Sequence, residues 1–230
     1  MNINNRPFVI SGRQYDISAR YEAVISPNSD QPWFELLSTV RTNNSLIDVA
    51  SFYNGLPAKS IHDIYDRFIQ QAIISGHSKL LINLPYNLFF SDHILRLCDK
   101  YHTITLAFEL PEVRGECLFE DISDRIDEVR QRANISFFLD DFGTQNSNFD
   151  FLESTHLDGV KLSKEVFWQL FDNHREFLVQ LLKFLKRYGA VIVEGVDKPE
   201  RFYFCKTMNV LMQGYYITAE WEQQYEAAYN

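Results

Sequence analysis

The chain is predicted to be an α/β protein of parallel strands covered by helices. A closed (β/α)8 barrel and an open doubly wound sheet are the two candidate architectures. Three observations predict this class. After a β-rich start, short β-type runs alternate with longer runs of helical periodicity. The β-type runs are nearly all apolar, as strands buried on both faces are. Run after run is also closed at its C-terminal end by a polar residue, on the side of a parallel sheet where sites are built. Some seven or eight such units in 230 residues suit a barrel slightly below the usual ~250. Alternation alone does not separate the closed barrel from the open sheet.

Residues 6–40 contain three expected strands, RPFVI, ARYEAVIS and PWFELLSTV. Ser60 to Ile74 reads as a helix, with Ile61, Ile64, Phe68 and Ala72 at near-helical spacing. LLINL follows as a buried strand, then SDHILRLCDKY as a helix with Ser91 as its N-cap. TITLAFEL is a strand, and Phe119, Ile122, Ile126 and Val129 give one helical face. ISFFLDDF is a strand, NFDFLEST a short helix and DGVKLS a strand. Two helices follow, Glu165–Phe171 and Phe177–Tyr188, the second with Leu178, Leu181, Leu182 and Leu185 on one stripe. AVIVEGV, PERFYFCKTM opened by Pro199, VLMQGYYI and AEWEQQYEAAY complete the series as strand, helix, strand and helix.

Composition narrows the function classes. A hydrophobic content of 46% excludes disorder, and 9 Gly with 7 Pro exclude a collagen-like chain. No run approaches the ~20 apolar residues of a membrane helix, and the first residues lack a secretory signal, so a cytoplasmic protein is expected. Cys98, Cys117 and Cys205 are too scattered for a metal site. The net charge of −9, with no basic cluster, excludes duplex nucleic acid and anionic membrane as partners. No dinucleotide or Walker loop and no nucleophile elbow is present, and the six histidines show no ligand spacing.

The polar residues that close the strands carry the chemistry. LLI ends at Asn83, TITLAF at Glu109, ISFFL at Asp140 and Asp141, AVIV at Glu194 and VLM at Gln213. DGV leads to Lys161, and the early PWF leads into Glu35. One acid at a strand end is commonly a helix cap, but a set on one rim converges. Five carboxylates so placed raise one another's pKa unless cations bind. Oxygen donors without His or Cys suit Mg2+ or Mn2+, and Asp140 with Asp141 can feed two adjacent ions, as in phosphoester hydrolysis. Neighbouring strand residues face opposite ways, so these two aspartates share a site only where the strand ends. Lys161 adds one cation to steady developing charge.

FLDDFGT, followed by LDGVKLSKEVF, VIVEGVD and QGYYI, resembles the EAL-domain family of bacterial cyclic di-GMP phosphodiesterases from Tyr21 to about Tyr216. The resemblance implies one domain over residues 1–230, a modified (β/α)8 barrel with one early strand antiparallel. It further implies hydrolysis of cyclic di-GMP to pGpG with two Mg2+ or Mn2+ ions, lowering the level of that second messenger. The signature tripeptide stands as Glu35-Leu36-Leu37. Carried over residue by residue, Glu35, Asn83, Glu109, Asp140, Asp141 and Glu194 are the implied metal ligands. Lys161 holds the attacking water, Glu194 belongs to the catalytic set, and Glu112 braces the loop after the paired aspartates. Leu37, Thr39 and Gln213 are the implied substrate-side positions.

The chain departs from the family at several points. Thr39 stands where an Arg often holds a substrate phosphate, Glu22 replaces the Gln of an early Y-Q-P string, and Pro85 replaces a small polar residue. Gln145 replaces the second Gly of D-F-G-T-G, removing backbone freedom, and Ala219 with Glu220 replace a closing Arg-Pro. A second class therefore stands beside the enzyme: a non-catalytic EAL-like module that binds cyclic di-GMP or a protein partner such as a transcription regulator. Trp221, Tyr225 and Tyr229 could serve such a surface, although packing as the last helix explains them as well. The pairing of two copies is a further partner class that no stripe in the sequence identifies.

Overall fold

The computed structural model describes residues 7–43, 45–110, 119–132, 135–144 and 149–219. It opens with β1 (Phe8–Ile10), β2 (Arg13–Ser26), β3 (Ser29–Thr42) and β4 (Ser45–Leu46). There follow α1 (Val49–Asn54), α2 (Ala58–Ile74), β5 (Lys79–Asn83), α3 (Tyr86–Phe89), α4 (Asp92–Lys100), β6 (Thr105–Leu110) and α5 (Phe119–Arg130). The second half comprises β7 (Ile135–Phe142), α6 (Phe149–Ser154), β8 (Gly159–Leu162), α7 (Lys164–Asn173) and α8 (Arg175–Leu185). It ends with β9 (Ala190–Val193), α9 (Pro199–Met208) and β10 (Leu211–Gln213).

The ten strands form one sheet in the order β1-β2-β10-β9-β8-β7-β6-β5-β3-β4, and a further β2–β3 pairing closes it. Eight strands, β2, β3 and β5 to β10, therefore make a TIM-like barrel. Strand β2 runs antiparallel to both neighbours, with Glu22 opposite Glu35 and Val24 opposite Gln213, whereas every other barrel pairing is parallel. The closed alternative is the one realised, with the early antiparallel strand that the family resemblance implied.

Outward side chains of the strands pack on the helices in one continuous core. Helix α2 contributes Ile61, Ile64, Phe68 and Ala72, and α8 contributes Leu178, Leu181, Leu182 and Leu185, at the spacing that marked them as helices. Ser91 caps α4 by accepting from the His93 N–H, and Pro199 opens α9, which closes on Asn209 in the left-handed region.

Several expected bounds move. Strands β2 and β3 each run 14 residues, because beyond the barrel they continue as a hairpin flanked by β1 and β4. The expected strand VLMQGYYI stops at Gln213, and 215–219 are helical. Gly214 turns there at φ +146, where a Cβ would lie 2.5 Å from the Val196 nitrogen. Helices α1 and α3 are too short to show a period and were not expected. In FYF, Phe202 and Phe204 pack on the core while Tyr203 is exposed. Glu112, Cys117, Gln145, Trp221, Tyr225 and Tyr229 lie outside the described residues.

Candidate active site at the carboxyl end of the barrel

The barrel interior is built in two layers. Val24, Leu81, Ala107, Phe138 and Ile192, with Trp33, Ala190 and Leu211 against them, form a small apolar cluster separate from the outer core. Two residues further along each strand the same face presents a polar side chain, because the strand period is 2. The steps are Trp33 to Glu35, Leu81 to Asn83, Ala107 to Glu109, Phe138 to Asp140, Ile192 to Glu194 and Leu211 to Gln213. On β8 the step is from Gly159 to Lys161, and on the reversed β2 it is from Val24 back to Glu22. Gly159 keeps the apolar layer from overfilling: a Cβ there would stand 2.3 Å from Phe138 Cε1 and 2.4 Å from the Ala190 oxygen.

Lys161 is the centre of the polar layer. Only 2% exposed, its Nζ lies 2.7 Å from Glu109 Oε1, 3.0 Å from Glu194 Oε1, 3.2 Å from Glu35 Oε2 and 3.6 Å from Asp140 Oδ1. Asn83 Nδ2 donates to Glu35 Oε1 at 3.0 Å, and Gln213 Nε2 donates to Glu35 Oε2 and, at 3.2 Å, to Glu22 Oε2. The Tyr65 hydroxyl steadies the end of β5 by donating to the Asn83 carbonyl at 2.7 Å.

The electrostatics follow from this crowding. Burial pushes Glu35 up, but the Lys161 charge and the hydrogen bonds from Gln213, Lys161 and Asn83 outweigh it and hold the carboxyl below its ordinary value. Burial drives Glu109 well above the carboxylate range, against Lys161 and with the charges of Glu35 and Asp140 adding to the rise. Asp140 is raised by burial, opposed by Lys161 and reinforced by Glu35. Burial, opposed by Lys161 and helped by Asp140, lifts Glu194 to about 6. Burial disfavours the Lys161 ammonium, yet Glu109, Asp140, Glu35 and Glu194 together hold it charged, well above its ordinary value.

Glu35 sits in the middle of β3, inside the expected strand PWFELLSTV, and β3 runs on past the barrel as the hairpin arm. Asp140 and Asp141 lie next to the end of β7, which closes at Phe142 as the expected strand ISFFLDDF does. The pairing of β7 with β8 slips between Leu139 and Phe142, and Asp141 adopts φ +51. This bulge re-aims the second aspartate, which strict alternation would have turned away. Asp141 is exposed, its N–H donates to Asp140 Oδ1 at 3.0 Å, and its side chain is the one acid shared by two adjoining cavities.

The larger cavity, about 890 Å3, is lined by Leu37, Asn83, Glu109, Asp140 and Asp141 together with Arg20, Tyr53 and Tyr86. The smaller, about 680 Å3, is lined by Glu22, Glu194, Gln213, Lys164 and Trp168 among others. Such volumes suit a ligand of nucleotide size. Thr39 stands further out on β3, opposite Ser18, and lines neither of these two cavities. Glu22 and Arg20 were not singled out as site residues. Alternating charges on β2 were the available signal, because Arg20, Glu22 and Val24 share one face.

A family model described as the EAL domain matches residues 13–220. The chain belongs to the EAL domain family. The cyclic di-GMP phosphodiesterase PdeH of Escherichia coli (strain K12) is 41% identical over 68 residues, which are 28% of this chain and 27% of PdeH. Among solved structures, Bacillus subtilis YkuI, in complex with substrate c-di-GMP and calcium, has a TM-score of 0.70 at 19% identity, over 87% of this chain and 55% of YkuI. An EAL domain protein from Listeria monocytogenes EGD-e has a TM-score of 0.70 at 19% identity, over 92% of this chain and 93% of that one. The FimX EAL domain of Xanthomonas citri, in complex with c-diGMP, has a TM-score of 0.70 at 16% identity, over 86% and 85%. This EAL chain thus spans about a quarter of PdeH and little more than half of YkuI.

The donor set of this EAL barrel fits hard divalent ions. Its ligating atoms are carboxylate and amide oxygens, the kind Mg2+ and Mn2+ prefer. Both Glu109 oxygens are buried without a hydrogen-bond donor in good geometry, and Oε1 has only the ionic contact with Lys161. Gln213 Oε1 is buried without a donor as well. Among the described residues, however, no three His, Cys, Asp or Glu side chains are gathered in a ligating arrangement. Glu35, Glu109, Asp140 and Glu194 meet around the Lys161 ammonium, whose single charge offsets part of theirs. Among the described residues no helix is long and apolar enough to cross a membrane.

Proposed function

We propose that this EAL barrel hydrolyses cyclic di-GMP to linear pGpG with two Mg2+ or Mn2+ ions, the whole chain serving as one catalytic domain. The observation that carries the reading is the ring of Glu35, Glu109, Asp140 and Glu194 around Lys161, of which Glu109 and Asp140 line the larger, nucleotide-sized cavity and Glu194 the smaller. Relatives add support: PdeH is a cyclic di-GMP phosphodiesterase, and YkuI takes c-di-GMP as substrate.

Glu35, Asn83, Glu109, Asp140, Asp141 and Glu194 would hold the ions. When bound, these supply Lewis-acid stabilisation of the phosphoryl oxygens and an acidified water at neutral pH. Lys161 holds Glu35 ionised, opposes the rise of the other acids and offers its ammonium to orient the attacking water. Gln213 and Asn83 fix both oxygens of Glu35, so that ligand does not swing as charge builds. Glu194, on the more open side of the ring, meets the solvent from which water enters. Water adds to phosphorus, one P–O3′ bond breaks, and the proton released by water ends on the leaving 3′-oxygen. Glu112 is assigned the brace of the loop after Asp141.

A second reading, binding of cyclic di-GMP without turnover, draws on the central place of Lys161, which already contacts four of the acids. One assay separates the two. Purified protein with Mg2+ or Mn2+ is expected to convert cyclic di-GMP to pGpG, and Glu35→Ala and Asp140→Ala to abolish conversion. Binding without product at micromolar enzyme, with either ion, would leave only the second reading.

A further inference from the structure

We propose that Arg20 is the residue that binds a phosphate of the cyclic dinucleotide in the larger cavity, a reading that rests on cyclic di-GMP being the ligand. Among the described residues that line this cavity, Arg20 is the one cation, facing Asp48, Glu109, Asp140 and Asp141. A phosphodiester entering such a space meets these acids, and a cation on the wall away from the proposed ion ligands favours its second, non-reacting phosphate. Arg20 stands there. It is paired with Leu37 across β2 and β3, one two-residue step, about 7 Å, outward from the Glu22–Glu35 pair.

The side chain is held in place and still available. Arg20 Nη1 contacts Glu22 Oε1 at 2.5 Å, while its side chain is 63% exposed. Glu22 also accepts from Gln213, which donates to Glu35, so the guanidinium is tied to the acidic ring through two side chains. A guanidinium carries five N–H donors in a fork that matches two phosphate oxygens, more than one contact to Glu22 uses. Arg20 thus offers a phosphate site beside the reacting centre and not within it, and acts on affinity more than on the bond-breaking step.

The test uses the full chain and cyclic di-GMP, with Arg20→Ala, Arg20→Gln and Arg20→Lys. Dissociation constants are read by calorimetry in calcium, and KM and kcat in magnesium. Arg20→Ala and Arg20→Gln should weaken binding roughly tenfold or more, with KM rising and kcat nearly kept. Arg20→Lys should fall between, since it keeps charge and loses the fork. Affinity of the wild type should also drop more steeply with salt than that of the neutral variants. Thermal midpoints report folding, and either neutral variant suffices if the other is unstable. Wild-type binding with both neutral variants within twofold of it, and with equal salt dependence, overturns the role of Arg20 and leaves the ligand assignment standing. No binding and no turnover by the wild type overturns both.

Discussion

Replacing Lys161 with Met removes one charge from contact with four carboxylates while keeping a side chain of similar length. The ammonium is almost fully buried and within 3.6 Å of Glu35, Glu109, Asp140 and Glu194, so solvent cannot take its place by screening. Removing one partner of a buried ion pair costs about 3–5 kcal/mol, because the remaining charge is left uncompensated. For a chain of this size that corresponds to a fall in thermal midpoint of about 6–20 °C. The acids can relieve part of the cost by taking up protons. Burial already raises Glu109 and lifts Glu194 to about 6 in the presence of Lys161, and both must rise further without it. Carboxyls with folded pKa above the unfolded value hold more protons when native, so the variant loses stability as pH rises through the folded pKa. The deficit should therefore be larger at pH 8 than at pH 5.5 in metal-free buffer. Circular-dichroism melts of both proteins across this range are the assay. A variant that melts within about 2 °C of wild type at pH 8 would refute the view that the acids depend on this cation.

Two further outcomes concern the scaffold. Gly159→Ala should lower stability by about 3 kcal/mol, since its Cβ would press on Phe138 and on the Ala190 carbonyl, which is backbone and cannot swing aside; urea titration matching wild type would show slack in the barrel interior. His77 lies 3.9 Å from the Phe34 ring and 5.1 Å from the Tyr21 ring, centroid to centroid, and burial depresses its pKa. Its neutral form is the native one, so its contribution is complete above the unfolded pKa and is lost as pH falls towards the lowered folded value. His77→Phe should flatten that part of the stability profile between pH 7.5 and 5.5, and parallel curves for variant and wild type would contradict it.

Much of the candidate site was legible because strands buried on both faces tolerate polar residues only where they reach an opening. Asn83, Glu109 and Gln213 lie at or next to the ends of β5, β6 and β10, and their apolar runs pointed straight at them. Glu35 was legible from the apolar PWF before it, although the strand runs on well beyond it. The length of β3 is set by its pairing with β2, from Asp16 opposite Arg41 inward, and no local pattern reports how far a hairpin climbs. The turn of Asp141 into the site depends on a register slip against β8, which is a property of two strands and not of one. Arg20 was not legible as a site residue because the inward face of ARYEAVIS is the mixed one, Arg20, Glu22 and Val24, whereas the apolar face of Ala19, Tyr21, Ala23 and Ile25 packs outward on the core. Closure itself was undecidable from alternation, since it rests on β2 meeting β10 near the far end of the chain.

That closure ties assembly of the site to the arrival of β10. The contact between Gln213 and Glu22 joins residues 191 apart, and the one between Gln213 and Glu35 joins residues 178 apart. A nascent chain emerging from the ribosome can pair β2 with β3 early, but the other edge of β2 waits for β10. Long-range closures of this kind come late and slowly. Until β10 docks, Glu35 lacks one of its donors and the acidic ring has a gap in its wall. The acidic ring is therefore complete only once β10 has docked, and a chain halted before Leu211 would lack the Gln213 contacts to Glu22 and Glu35.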